Sequence, residues 1–252
     1  VSINLAESKR LLAVSRNEDS KGILNKLFFL SATEEFWLLT ILTSTQSLSH
    51  LQCKLLSGCV FLRLLVALPQ ARHGNFLAMK LKQLAKLNPT KNLEVTFEAH
   101  KNTTSGSLFL NIPVFATRLL FLYINHIRPF LVKFGEFNEH QDKLFPSRTL
   151  TFFGAFLKQL SPAVQFNPSY PRKLFCDYTA MLQHSQSKWS TFASEFVVTA
   201  NHGSTSNLVE RHYGHSAKVD REKKLSEFLQ EMFVDPSTGT LLRITALNEL
   251  PM

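Results

Sequence analysis

The stretch NLEVTFEAHKNTTSGSLFLNIPV, Asn92 to Val114, is where the hydrophobic period of this chain changes. NLEVTFEAHK and SLFLNIPV alternate apolar and polar residues, the period-2 pattern of strands with one buried face. Asn102 to Ser107, NTTSGS, joins them with turn-forming residues and one glycine, so the pair reads as an antiparallel β-hairpin.

On both sides of the hairpin the period is helical. A capping pattern at Ser31 to Glu35 opens a helix over FWLLTILTST. A second helix runs through LSHLQCKLLSGCVFLRLLVAL and stops at Pro69, because proline has no N–H to continue the ladder. A third apolar-periodic segment, NFLAMKLKQLAKL, ends at Asn88 and Pro89. After Pro113 helices are expected over ATRLLFLYINHIRPFL, RTLTFFGAFLKQL, PRKLFCDYTAMLQ, TFASEFVVTA and REKKLSEFLQEMF. The expected fold is mainly α with one small antiparallel β-hairpin, an α+β domain. Residues 1–30, broken by the polar SRNEDSKG, read as a linker or the tail of an upstream domain. Residues 31–232 read as the main domain and 233–252 as a C-terminal tail. The start at Val1 fits the same expectation of a fragment.

Hydrophobic residues make up 44% of the 252 and charged ones 19%, enough apolar material for a core. The 22 phenylalanines argue against a disordered chain. A net charge of +9 favours a polyanionic partner, nucleic acid first and an anionic membrane surface second. No apolar run is read as reaching the roughly 18 residues that cross a bilayer, because Arg63 and Arg118 interrupt the two strongest candidates. With no secretory signal read either, the expected location is intracellular and away from membranes. Cys53, Cys59 and Cys176 sit in apolar helical contexts and read as buried free thiols of a reducing compartment.

Five residues with chemical potential lie in a definite order. In LLVALPQARHGNFLAMKLKQL, Arg72 follows a long apolar helix and precedes a short one. Lys101 stands at the end of the first hairpin strand. In PSYPRKLFCDYTAM, Arg172 opens an apolar helix. FVVTANHGSTSNLVERHYGHS supplies His202 within Asn201 to Ser204 and, eleven residues on, Tyr213. Each alone has a plain structural reading: a solvated arginine between helices, an ordinary hairpin lysine. Their order and local context, over residues 31–232, resemble the catalytic domain of the tyrosine recombinase (phage-integrase-like) family. That family has a first-arginine box, a hairpin lysine, a second-arginine box, a histidine and then a tyrosine nucleophile.

Two positions depart from the family pattern. Asn75 stands where the family usually has an acidic residue, which loosens the support expected for Arg72. Ser169 takes the place of a histidine, removing one proton-transfer group and leaving a hydroxyl as a phosphate-binding candidate. Gly214 to Ser216 also looks like the histidine motif, but no tyrosine follows it, so His202 is matched to the family histidine. Tyr178 shares a helix with Arg172, and Tyr123 and Tyr170 precede the histidine box, which leaves Tyr213 as the nucleophile.

The resemblance implies DNA strand cleavage and rejoining through a covalent 3′-phosphotyrosine, as in a mobile genetic element of eukaryotic or viral type. It implies an upstream DNA-clamping domain before residue 31 and double-stranded DNA as partner, in the nucleus if the host is eukaryotic. A homo-oligomer on DNA, dimer to tetramer, is also implied, with the helix over 220–232 as one possible contact. The residue types suit that chemistry. Two arginine forks can hold the nonbridging phosphate oxygens and stabilise the charge that grows on them. A tyrosine among cations is shifted toward phenolate, and a lysine on a hairpin can protonate the leaving 5′-oxygen. His202 would bind the phosphate or assist the proton leaving Tyr213. No cofactor or metal is expected: His202, His212 and His215 lack cysteine partners and zinc-motif spacing, and no nucleotide-binding Gly-rich loop occurs. Two alternatives stay open, a domesticated relative that binds DNA without cutting it, and a basic helical protein-interaction module.

Overall fold

The computed structural model describes residues 31–32, 34–35, 37–39, 42, 47–97, 108–138, 140–160, 167–183, 188–189 and 215–233. The helix expected over TFASEFVVTA and the terminal segments 1–30 and 234–252 lie outside them. The described residues between 31 and 42 are helical and form α1. In chain order follow α2 (His50–Ala67), α3 (His73–Ala78), a 3-10 turn (Leu81–Leu84), β1 (Leu93–Phe97) and β2 (Leu108–Ile112). Then come α4 (Val114–Leu122), a π-helical turn (Tyr123–Ile127), α5 (Arg128–Lys133), α6 (Thr149–Leu160), α7 (Tyr170–Gln183) and α8 (His215–Phe233). The described chain is mostly helical, with one two-stranded antiparallel sheet.

Helix α2 is apolar on every side and is correspondingly buried on every side, from Leu55 through Ala67. Its start is fixed by a capping box in which Gln52 N–H donates to Ser49 Oγ (3.2 Å) and Ser49 N–H to Gln52 Oε1 (2.8 Å). Contrary to expectation, Arg63 does not interrupt it: α2 is long and apolar enough to cross a membrane, and most of it is buried inside the protein. Arg63 is fully buried, donating to Ser31 Oγ (2.5 Å), Glu35 Oε2 (3.2 Å) and Phe115 O (3.2 Å). One guanidinium thereby ties α1, α2 and α4 together, and a buried charge persists only with such partners. Ser31, read as a cap, is itself helical and accepts from Arg63.

Around α2, Phe61 sets its ring edge-on to Phe76 on α3 (6.3 Å), Phe145 (5.5 Å) and Phe153 on α6 (5.5 Å). Helix α6 lies against α2 at Gly58. A β-carbon there would stand 2.8 Å from Phe152 O and 2.9 Å from Phe156 Cβ, so only glycine permits this approach. The expected single helix over NFLAMKLKQLAKL divides into α3 and the 3-10 turn. Between them Met79 O accepts from Leu144 N–H and Leu81 N–H donates to Asp142 O, both at 2.8 Å, so tertiary pairing with 142–144 replaces the helical ladder. Before Pro129 the Arg128 N–H reaches back five residues to Tyr123 O, the π-type bond that accommodates a proline without a donor.

The hairpin pairs Leu93 with Ile112 through Phe97 with Leu108. Leu93, Val95 and Phe97 are buried while Glu94 and Thr96 are exposed, as alternation predicts. Strand β2 is buried on both faces, because α8 packs on it. Helix α8 begins six residues earlier than expected, at His215. Its stripe of Leu225, Phe228 and Leu229 is buried in its own chain, with Phe228 against Phe175 (5.9 Å), Tyr178 (6.4 Å) and Trp189 (5.3 Å). Asn92 donates to Ser226 Oγ at 3.2 Å, fastening α8 to the hairpin base. All three cysteines are free and buried.

Candidate active site

Arg72 stands three residues beyond Pro69, in extended conformation (φ −87°, ψ 150°), immediately ahead of α3. Its backbone is held by a reciprocal pair of bonds. Arg72 N–H donates to Asn75 Oδ1 and Asn75 N–H to Arg72 O, each at 2.8 Å. Asn75 thus supports the backbone of Arg72 rather than its charge. Phe76 and Met79, both fully buried, anchor α3 on the core and leave Arg72 exposed.

Arg172 lies in the first turn of α7 and is partly buried. Burial foremost pulls its guanidinium below the ordinary arginine range. Cys176, one turn further on, acts in the opposite direction, and the charge of Arg72 adds repulsion. The side chain remains cationic at neutral pH. Two arginines a hundred residues apart in the chain are therefore brought within electrostatic reach. Both α3 and α7 pack on α2, which is how the encounter is made. The helix dipole adds to it, since the start of α7 carries the positive end.

Ser169 is exposed just ahead of α7. Its N–H and its hydroxyl both donate to Asn167 Oδ1, at 2.9 and 2.8 Å, and Tyr170 N–H donates to Asn167 O at 2.8 Å. The Ser169 proton is thus turned toward Asn167, leaving only oxygen lone pairs outward.

The hairpin brackets Lys101 between the end of β1 at Phe97 and the start of β2 at Leu108, while Lys101 itself lies outside the described residues. His202 and Tyr213 also lie outside them; Tyr213 precedes α8 by two residues. Of the other tyrosines, Tyr123 is fully buried with its hydroxyl 3.4 Å from Ser57 Oγ, and burial drives its ionisation far above the usual range. Tyr178 stacks on Phe228, and burial likewise raises it. Tyr170 opens α7 two residues before Arg172, on a different side of the helix, and is half-buried against the core. Among the described residues no three His, Cys, Asp or Glu side chains converge.

No protein-family model matches this chain, and no curated protein or solved structure matches it.

Proposed function

We propose that this chain is the catalytic domain of a DNA strand transferase of the tyrosine recombinase type, with Arg72 and Arg172 clamping one phosphate. The carrying observation is that α3 and α7, which bring in Arg72 and Arg172, both pack on α2, leaving the two guanidinium groups within electrostatic reach of each other. Like charges held together repel, and a bound anion turns that repulsion into attraction. A phosphodiester brings both the charge and the bidentate oxygen geometry that arginine matches.

Tyr213 attacks phosphorus, its phenol oxygen forming the new P–O bond as its proton passes to His202 or solvent. The bond to the 5′-oxygen breaks, and Lys101 gives that oxygen a proton. Strand joining reverses these steps on another 5′-hydroxyl, so the energy of the phosphodiester is conserved in the phosphotyrosine.

The test is covalent trapping on a pool of nicked suicide duplexes, followed by nuclease digestion and mass spectrometry. A nucleotide on Tyr213 is expected; one on Tyr170 or Tyr178 overturns the nucleophile assignment. A second reading, a relative that binds DNA without cutting it, is favoured by the neutral Asn75 and by the Ser169 hydroxyl turned to Asn167. It predicts tight duplex binding with no adduct. Binding that lacks a steep salt dependence would instead favour a protein-interaction module.

A further inference from the structure

Positive charge is unevenly distributed along this chain. Residues 36–176 hold 16 of its 28 lysines and arginines but only 5 of its 19 acids. Between Glu35 and Glu94 no acid occurs at all, and the end of that span is a strap, residues 80–91, with four lysines. Lys80 is engaged, its ammonium 2.6 Å from Asp142. Lys82, Lys86 and Lys91 are exposed, and among the described residues no carboxylate lies within salt-bridge distance of them.

The strap is held firmly in place. Leu84 is buried, and Leu81 and Leu87 pack against the core, so leucines at every third position face inward. Gln83 Nε2 donates to Thr96 O (2.9 Å), tying the 3-10 turn to the open end of β1. Asn88 Oδ1 accepts from the N–H and hydroxyl of Thr90 (2.9 and 2.7 Å), and Lys91 O accepts from Thr117 Oγ1 (2.9 Å). Backbone ordering is thus already complete before any partner arrives.

We infer that this strap grips duplex DNA beside the arginine pair, with Lys82, Lys86 and Lys91 each on a backbone phosphate. The choice of duplex DNA rests on the strand-transferase reading; the choice of a phosphate backbone rests on the strap itself. The strap follows α3, which Arg72 precedes, and leads directly into β1 of the hairpin. It contains no aromatic residue on which single-stranded bases could stack. None of the exposed large apolar side chains lies within it, so it lacks the anchors of a membrane-surface segment.

The experiment measures affinity of the full chain for an uncleaved duplex against salt concentration. Lys82→Gln, Lys86→Gln and Lys91→Gln together should lower the slope of log affinity against log salt by about 2.7, at about 0.9 per phosphate contact, and each alone by about 0.9. A charge-matched control, Lys133→Gln with Arg148→Gln and Lys158→Gln, removes exposed cations elsewhere and should leave the slope nearly unchanged. An unchanged slope in the strap variant, or an equal fall in the control, overturns the inference. So does loss of binding to phosphatidylserine vesicles with duplex binding retained. The two readings fail separately. If the wild type never forms an adduct but the strap variant shows the lowered slope, the strap stands and strand transfer falls. If the strap variant forms adducts with an unchanged slope, the reverse holds.

Discussion

Arg172, in the first turn of α7, is repelled by Arg72, which stands ahead of α3 a hundred residues earlier. An anion seated between two guanidinium groups is attracted by both. Phosphate or sulfate should therefore raise the melting temperature of the wild type, by the equivalent of about 2.7 kcal/mol at a hundred times its dissociation constant. Arg72→Gln and Arg172→Gln should each lose that rise. Without anion, Arg72→Gln should be no less stable than the wild type, because it relieves the repulsion. Thermal melting with and without phosphate checks both; equal anion stabilisation of all three proteins would show that the pair does not bind it.

Gly58 lets α6 approach α2 to within contact of Phe152 O and Phe156 Cβ. Gly58→Ala places a methyl where no room exists, and carbonyl O cannot rotate away as a side-chain tip could. The expected loss is about 1–3 kcal/mol, with Gly58→Val worse. Urea unfolding measures it. An alanine variant as stable as the wild type would mean that the two helices part without cost.

Burial raises the Cys53 thiol from 9.0 to about 11, and raises Cys59 and Tyr123 as well. The folded groups stay protonated while those of the unfolded chain ionise. Their contribution to stability is thus fully present below the unfolded thiol value and is lost as pH rises toward the folded one. Stability by urea midpoint should fall between about pH 9 and about pH 11. At about pH 8 iodoacetamide should leave Cys53 and Cys59 unlabelled until the protein is unfolded. Rapid labelling of the native protein would contradict their burial.

Phe228 on α8 is surrounded by Phe175, Tyr178 and Trp189. Phe228→Ala should cost about 3–5 kcal/mol and alter Trp189 fluorescence. Deleting residues 217–252 uncovers the same surface and one face of β2, so the monomer itself should lose stability. Calorimetry of the truncated chain tests this; a melting temperature equal to that of the full chain would mean that α8 docks elsewhere. An oligomer contact through α8 would have to use its exposed side, around Lys223, Lys224 and Glu227, or exchange the helix between chains.

Much of the secondary structure could be read from local signals, because the interactions that set it are local. Pro69 ends α2 whatever packs around it, Ser49 and Gln52 cap its start, and alternation at Leu93, Val95 and Phe97 marks a strand with one wet face. The buried free cysteines followed from their apolar neighbours. That Arg72 precedes one helix and Arg172 opens another was also readable from the local sequence.

Long-range contacts decided the rest. Arg63 looked like a break in an apolar run, but Ser31, Glu35 and Phe115 O supply the partners that let it lie fully buried. The periodicity over 75–87 predicts one helix, yet backbone bonds to Asp142 and Leu144 outcompete it at Met79 to Leu81. The apolar stripe of α8 is visible in sequence, whereas the surface that covers it, Phe175 with Tyr178, lies on another helix. The meeting of Arg72 and Arg172 depends on α3 and α7 both packing on α2. Periodicity and capping are set within a few residues, where the chain's own geometry enforces them. Which distant charges meet depends on how apolar faces exclude water together, and that is decided only when the whole core closes.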